Sequence, residues 1–189
     1  MSGDTDHLLA DLNLRFDEVR ATLETTPDWK TARILAPKLI LGSLGGVQVG
    51  FRQMIRTTPV ETARVETPAG SIVVPTLDEL SGMKAYLAYS RRATRDFVDF
   101  AALASCRDDV AVLATLLLTD ARYGELQTDS VALEIAKVLA DPQPYDLDSI
   151  DLRTYKGIQP PWDDWLHVAT VCKRLGLQFA DALLPGDEP

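Results

Sequence analysis

Asp4-Thr5-Asp6 is the first group of side chains whose type and spacing could do chemistry. On a strand, positions i and i+2 point to one side, so both carboxylates can reach one divalent cation. Carboxylate oxygens suit magnesium, which also keeps waters and substrate phosphates in its shell. The motif is short, and a plain acidic amino terminus would read the same way. The second group lies in "MKAYLAYSRRATRDFVDFAAL", residues 83–103. There Lys84, Arg91, Arg92 and Arg95 stand among Ala, Leu, Tyr and Phe, together with Asp96 and Asp99. On one continuous helix Arg91 and Arg95 fall within about 20° of Lys84. A break near Ser90 keeps them close only if the second helix folds back. Arg92 and Asp96, and Arg95 and Asp99, have i,i+4 spacing, which makes a solvated ion-pair face. The competing reading has Lys84 bind a triphosphate as a point charge with an arginine beside it. "AYLAY" after Lys84 offers an apolar face for its stem, and Ser81-Gly82 are small enough to let a ligand approach.

These groups need elements to hold them. To about Pro75 the chain reads as mixed strand and helix. "DHLLADL" leaves the acidic triplet as a strand, and "LRFDEVRATLET" spaces Leu14, Phe16, Val19 and Leu23 along a helix with Glu18 and Arg20 outside. "ARILA" and "KLILGSLGGVQVGFRQMI" read as strands, with a hairpin turn at Gly45-Gly46 and with Val47, Val49 and Phe51 on one face. "ARVETPAGSIVV" is a second hairpin turning at Pro68-Ala69-Gly70. From Thr76 the period becomes helical. Thr76-Leu77-Asp78-Glu79 matches a capping box, and helices are expected at about 94–104, 108–119 and 128–140. A last helix is expected from "PPWDDWLHVATVCKRLG", with proline in its first turn and Gly176 as its stop. The expected class is α/β in the α+β sense: a small mixed-sheet core over 1–75, then a helical bundle over 76–189.

The chain has 189 residues and a formal net charge of −9, with 46% hydrophobic and 25% charged residues. These are globular proportions with room for a real core. No window is apolar enough to span a bilayer, and the acidic "MSGDTDHLLADL" does not read as a signal peptide. The acidic balance argues against a general nucleic-acid coat but leaves room for a local basic pocket. Cys106 and Cys172 sit in helical patterns where core packing is expected, and a reducing cytoplasm fits them. His7 is out of phase with the acidic pair and is expected to face core or solvent. His167 and the Trp162/Trp165 pair are expected to pack around the last helix. Arg52 and Arg56 fall on the face opposite Val49 and Phe51, where a solvated strand face is the default. CxxC, HExxH, P-loop and GxSxG patterns are absent from the sequence.

In this order, D-x-D near a strand, "VPTLDEL", then lysine and R-D-x-x-D-F, the chain resembles the AbiEii/AbiGii-type nucleotidyltransferases. These are toxin components of type IV-like toxin–antitoxin systems, including the MenT toxins, within the polymerase-β-like superfamily. The resemblance is densest from Val65 to Leu103. It implies a nucleotidyltransferase core that moves a nucleoside monophosphate from an NTP to an acceptor such as the tRNA 3′ end, with a cognate antitoxin as partner. It implies magnesium on Asp4 and Asp6, Ser2 two residues before that pair, and Lys84 on nucleotide phosphates with Arg91 and Arg95 nearby. Asp96 and Asp99 then match the closing acidic positions, and the residues leave open which of the two faces the site. Two departures stand out. The family's Gly-rich motif upstream of the acidic pair is missing, and the strand "VQVGFRQM" carries Gly50 and Arg52 where a third acid is common. Two expectations follow: an enzyme whose true amino terminus lies further upstream, or a degenerate, non-catalytic member acting as an interaction module.

Overall fold

The computed structural model describes residues 4–56, 58–124 and 129–184. The chain divides into two compact units, Met1–Thr57 and Thr58–Pro189. It is an α+β protein with a mixed sheet in the first unit and a helical assembly in the second.

In the first unit β1 (Asp4–Leu9) leads into α1 (Leu12–Glu24), followed by β2 (Trp29–Leu35), β3 (Leu39–Leu44) and β4 (Val47–Gln53). The sheet order is β1-β4-β3-β2. β1 runs parallel to β4, and the other pairs are antiparallel. Gly45 and Gly46 both have positive φ, 56° and 86°, as a two-residue hairpin matching the sheet's twist requires. One sheet face carries Ile40 against Phe51 and packs with Leu12, Phe16, Val19 and Leu23 of α1. Leu14, expected on that stripe, is 83% exposed. Leu12 takes the place, because i, i+4, i+7 and i+11 from Leu12 lie on one side of a 3.6-residue helix and Leu14 does not.

The second unit opens with a hairpin, β5 (Thr62–Thr67) and β6 (Gly70–Pro75), which among the described residues pair only with each other. The boundary between units therefore falls before this hairpin and not at Pro75. Then come α2 (Leu77–Arg91), α3 (Thr94–Ala104), α4 (Asp109–Leu117), α5 (Thr119–Tyr123), α6 (Val131–Ala140) and α7 (Trp165–Leu183). Their core is built from Phe97, Phe100 and Ala101 of α3, Ile135 and Leu139 of α6, and Val168, Cys172, Leu175 and Phe179 of α7. The last four again follow helical spacing. Trp165 stands edge-on to Phe97 at 6.0 Å, and Trp162 and Trp165 both pack on this core.

Several local expectations are corrected. α7 starts beyond both prolines, with the Asp164 side chain accepting from the Leu166 N–H. Gly176 does not stop it: the glycine is buried mid-helix, and a Cβ there would lie 2.3 Å from the Ala140 amide nitrogen. The absence of a side chain there lets α7 approach the α6 backbone closely. Cys172 is buried and its thiol is pushed up to about 12 by burial, but Cys106 is exposed just beyond α3.

Candidate functional site

Lys84 lies on α2, seven residues before its end. Arg92 then adopts the left-handed conformation (φ 52°) and closes α2. Two residues later α3 begins, and the chain folds back. This return brings Asp96 and Asp99 to Lys84: its Nζ lies 2.6 Å from Asp99 Oδ2 and 3.5 Å from Asp96 Oδ1. The Arg95 guanidinium stands 3.8 Å from Asp99. Asp96 thus pairs with Lys84 and not with Arg92, because the left-handed cap puts Arg92 off the helix that carries Asp96. Only 26% of the Lys84 side chain and 7% of that of Asp96 are exposed, so this ion pair is largely withdrawn from solvent. Asp96 also sits in the first turn of α3, where the helix dipole favours a carboxylate. Arg91 is exposed at the end of α2.

A further carboxylate completes this region. Asp146, in the loop after α6, accepts from the Thr94 N–H at 2.8 Å and from the Thr94 hydroxyl at 2.7 Å. It caps α3, whose own preceding residue, Ala93, has no side chain able to do so. Burial raises the Asp146 carboxyl, but the two Thr94 hydrogen bonds outweigh it and hold the group below the ordinary value of 3.8. The Tyr145 N–H donates to the Arg92 carbonyl at 3.0 Å and fastens the same loop to the end of α2. Tyr155 is raised first by burial and then by the nearby charges of Asp146, Asp99 and Asp96. Asp146 and Tyr155 were not among the sequence candidates. Their spacing carries no signal, because they reach the cluster from a loop about fifty residues on.

Ser81-Gly82 does not leave room for a ligand. Ser81 is 1% exposed, and a Cβ on Gly82 would lie 2.9 Å from Arg122 Nη1 and 3.3 Å from Thr115 Cγ2. Arg122 Nη2 lies 3.6 Å from Glu79 Oε2. The capping box is accordingly half formed. The Thr76 hydroxyl accepts from the Glu79 N–H at 3.2 Å, but Glu79 does not reach back. Its Oε2 accepts from the Glu61 N–H at 3.1 Å, and the Thr76 N–H donates to the Glu61 carbonyl.

The amino-terminal pair belongs to the other unit. Ser2 and the Asp4 side chain lie outside the described residues, although the Asp4 backbone forms the start of β1. Asp6 stands opposite Gly50 in the parallel β1–β4 ladder. A Cβ on Gly50 would lie 2.1 Å from Asp6 Oδ1, so the missing side chain makes room for this carboxylate. The Arg52 Nε–H donates to the same oxygen at 3.0 Å. His7 points to the other face and stacks on Phe51 at 5.1 Å. Arg56 follows β4 and is buried, unlike the solvated position expected for it. Among the described residues no three His, Cys, Asp or Glu side chains cluster as metal ligands, and no helix is long and apolar enough to cross a membrane.

No family model matches the chain, and no solved structure matches it. It is similar to part of a large transporter. The heme uptake protein MmpL11 of Mycobacterium tuberculosis is 38% identical over 129 residues, covering 64% of this chain and 13% of the relative. The mycolic acid-containing lipids exporter MmpL11 of Mycolicibacterium smegmatis is 36% identical over 120 residues, covering 62% and 12%. The chain thus spans about an eighth of the length of the curated relatives it matches. A match of 129 residues is more than twice the first unit, Met1–Thr57, and so includes much of the second.

Proposed function

We propose that the chain is a non-catalytic interaction module that serves a transport system of the MmpL11 kind. The observation that carries this reading is the lack of any surplus positive charge in the Lys84 cluster. Two cations, Lys84 and Arg95, meet two carboxylates, Asp96 and Asp99, and Asp146 adds a further negative charge close by. A site for a triphosphate needs an excess of donors facing outward; here the ammonium is engaged within the fold and clamps α2 to α3. Asp6, likewise, is neutralised by a guanidinium, which suits an exposed ion pair better than a magnesium ligand. The similarity to a segment of MmpL11 supplies the transport context, as an association and not a mechanism.

The second reading is the nucleotidyltransferase, with an NTP as donor and the tRNA 3′ end as acceptor. In its favour, three of the residues singled out by the resemblance, Lys84, Asp96 and Asp99, do meet. Lys84→Glu separates the two. On the interaction-module reading this change sets three carboxylates together, two of them poorly solvated, and lowers stability by about 2–4 kcal/mol. Incorporation from labelled NTPs into total tRNA with magnesium present stays at background for both proteins. Incorporation by the wild type that disappears in a stably folded Lys84→Glu variant would overturn the module reading.

A further inference from the structure

β5 and β6 form a two-stranded sheet with no third strand among the described residues. Residues 62–66 are all exposed. Two strands alone are marginal in water, and a free edge offers a row of unpaired N–H and C=O groups. The direction of those groups follows from one bond. The Thr76 N–H donates to the Glu61 carbonyl, so Glu61 turns its carbonyl towards the β6 side. Backbone direction alternates along an antiparallel strand. Ala63, Val65 and Thr67 therefore turn towards β6, and Thr62, Arg64 and Glu66 turn outward.

We propose that β5 pairs edge to edge with β5 of a second copy of this chain, antiparallel, about a two-fold axis at Val65. Arg64 of each copy then stands directly opposite Glu66 of the other, so the symmetry makes the charge match twice. Both are outward-turned residues, so their N–H and C=O groups meet as a hydrogen-bonded pair with the two side chains on one face. Charge also selects the register. A shift of the axis by one residue in either direction sets Arg64 against Arg64 or Glu66 against Glu66. Arg64 already donates to the Ser71 hydroxyl at 3.1 Å, which leaves other guanidinium donors for a carboxylate. The β6 edge offers no such selection, since Gly70–Pro75 carries no charge and Pro75 no donor. The product is one four-stranded sheet ordered β6-β5-β5-β6, with the half-exposed Val65 side chains (43% each) meeting at the axis. This inference goes beyond the proposed function and does not depend on it.

The test is a charge-swap series on the full chain, read by size-exclusion chromatography with light scattering over a range of concentrations. Wild type is expected to approach twice the 20.8 kDa chain mass as concentration rises. Arg64→Glu and Glu66→Arg each set like charges opposite one another twice, and each is expected to weaken the dimer about tenfold or more. The double variant, with both changes, restores the pairing with its signs reversed. Misfolding would not be reversed by a second swap, and far-ultraviolet circular dichroism of all four proteins checks the fold directly. A wild type that stays monomeric, single variants that dimerise as well as wild type, or a double variant no better than the singles would each overturn the proposal.

Discussion

Asp146 supplies from a distant loop what the local sequence before α3 lacks. Replacing it with alanine removes both acceptor bonds to Thr94 and is expected to cost about 1 kcal/mol near neutral pH, measured by urea denaturation. Because the folded carboxyl titrates below its ordinary 3.8, its stabilisation is fully present above that value. It fades as pH falls through the folded pKa, so the gap between wild type and Asp146→Ala should close in acid and not in base. At this scale the sequence was partly legible. Lys84, Asp96 and Asp99 were grouped only through the family resemblance, and the structure brings them together where α3 folds back on α2. The Asp6–Arg52 pair was not read, although both residues were noted. It depends on the parallel register of β1 with β4, which no local pattern encodes.

Gly176 shows how one residue sets the distance between two helices. A methyl group there would meet backbone atoms of Leu139 and Ala140, at 2.5 and 2.3 Å, which cannot rotate away. Gly176→Ala should raise intrinsic helix propensity by about 1 kcal/mol and still destabilise the protein by about 1–3 kcal/mol net, because α6 and α7 must separate. Thermal unfolding of the purified variant measures the sign. Strands, helices and both hairpin turns were legible as elements, because period-2 and period-3.6 patterns and paired glycines have local causes. What was not legible is which partner a signal serves. Glycine near a helix end reads as a stop, but here it is a contact. Glu79 reads as a capping glutamate, but its carboxylate joins the base of the β5–β6 hairpin to Arg122.

The two units differ in how much apolar surface they bury. In the first, the fully buried cluster is Leu12, Phe16 and Ile40 with a ring of partly covered neighbours. In the second, side chains from α2, α3, α4, α6 and α7 close a much larger core. Small cores are marginal, so amide hydrogen exchange should show lower protection in β1 and β4 than in α3, α6 and α7. Equal protection in both sets would contradict this. The broad α+β plan could be read from the change of period at Thr76, whereas the true division between units could not, because the hairpin's attachment runs through Glu79 and Arg122. The cap on α3 has a consequence for the order of synthesis. Thr94 waits for a residue 52 positions later, so a ribosome must add roughly a quarter more of the polypeptide before that helix is finished. Until then the nascent α2–α3 turn must rely on its lysine–aspartate clamp and on the apolar side chains the two helices share.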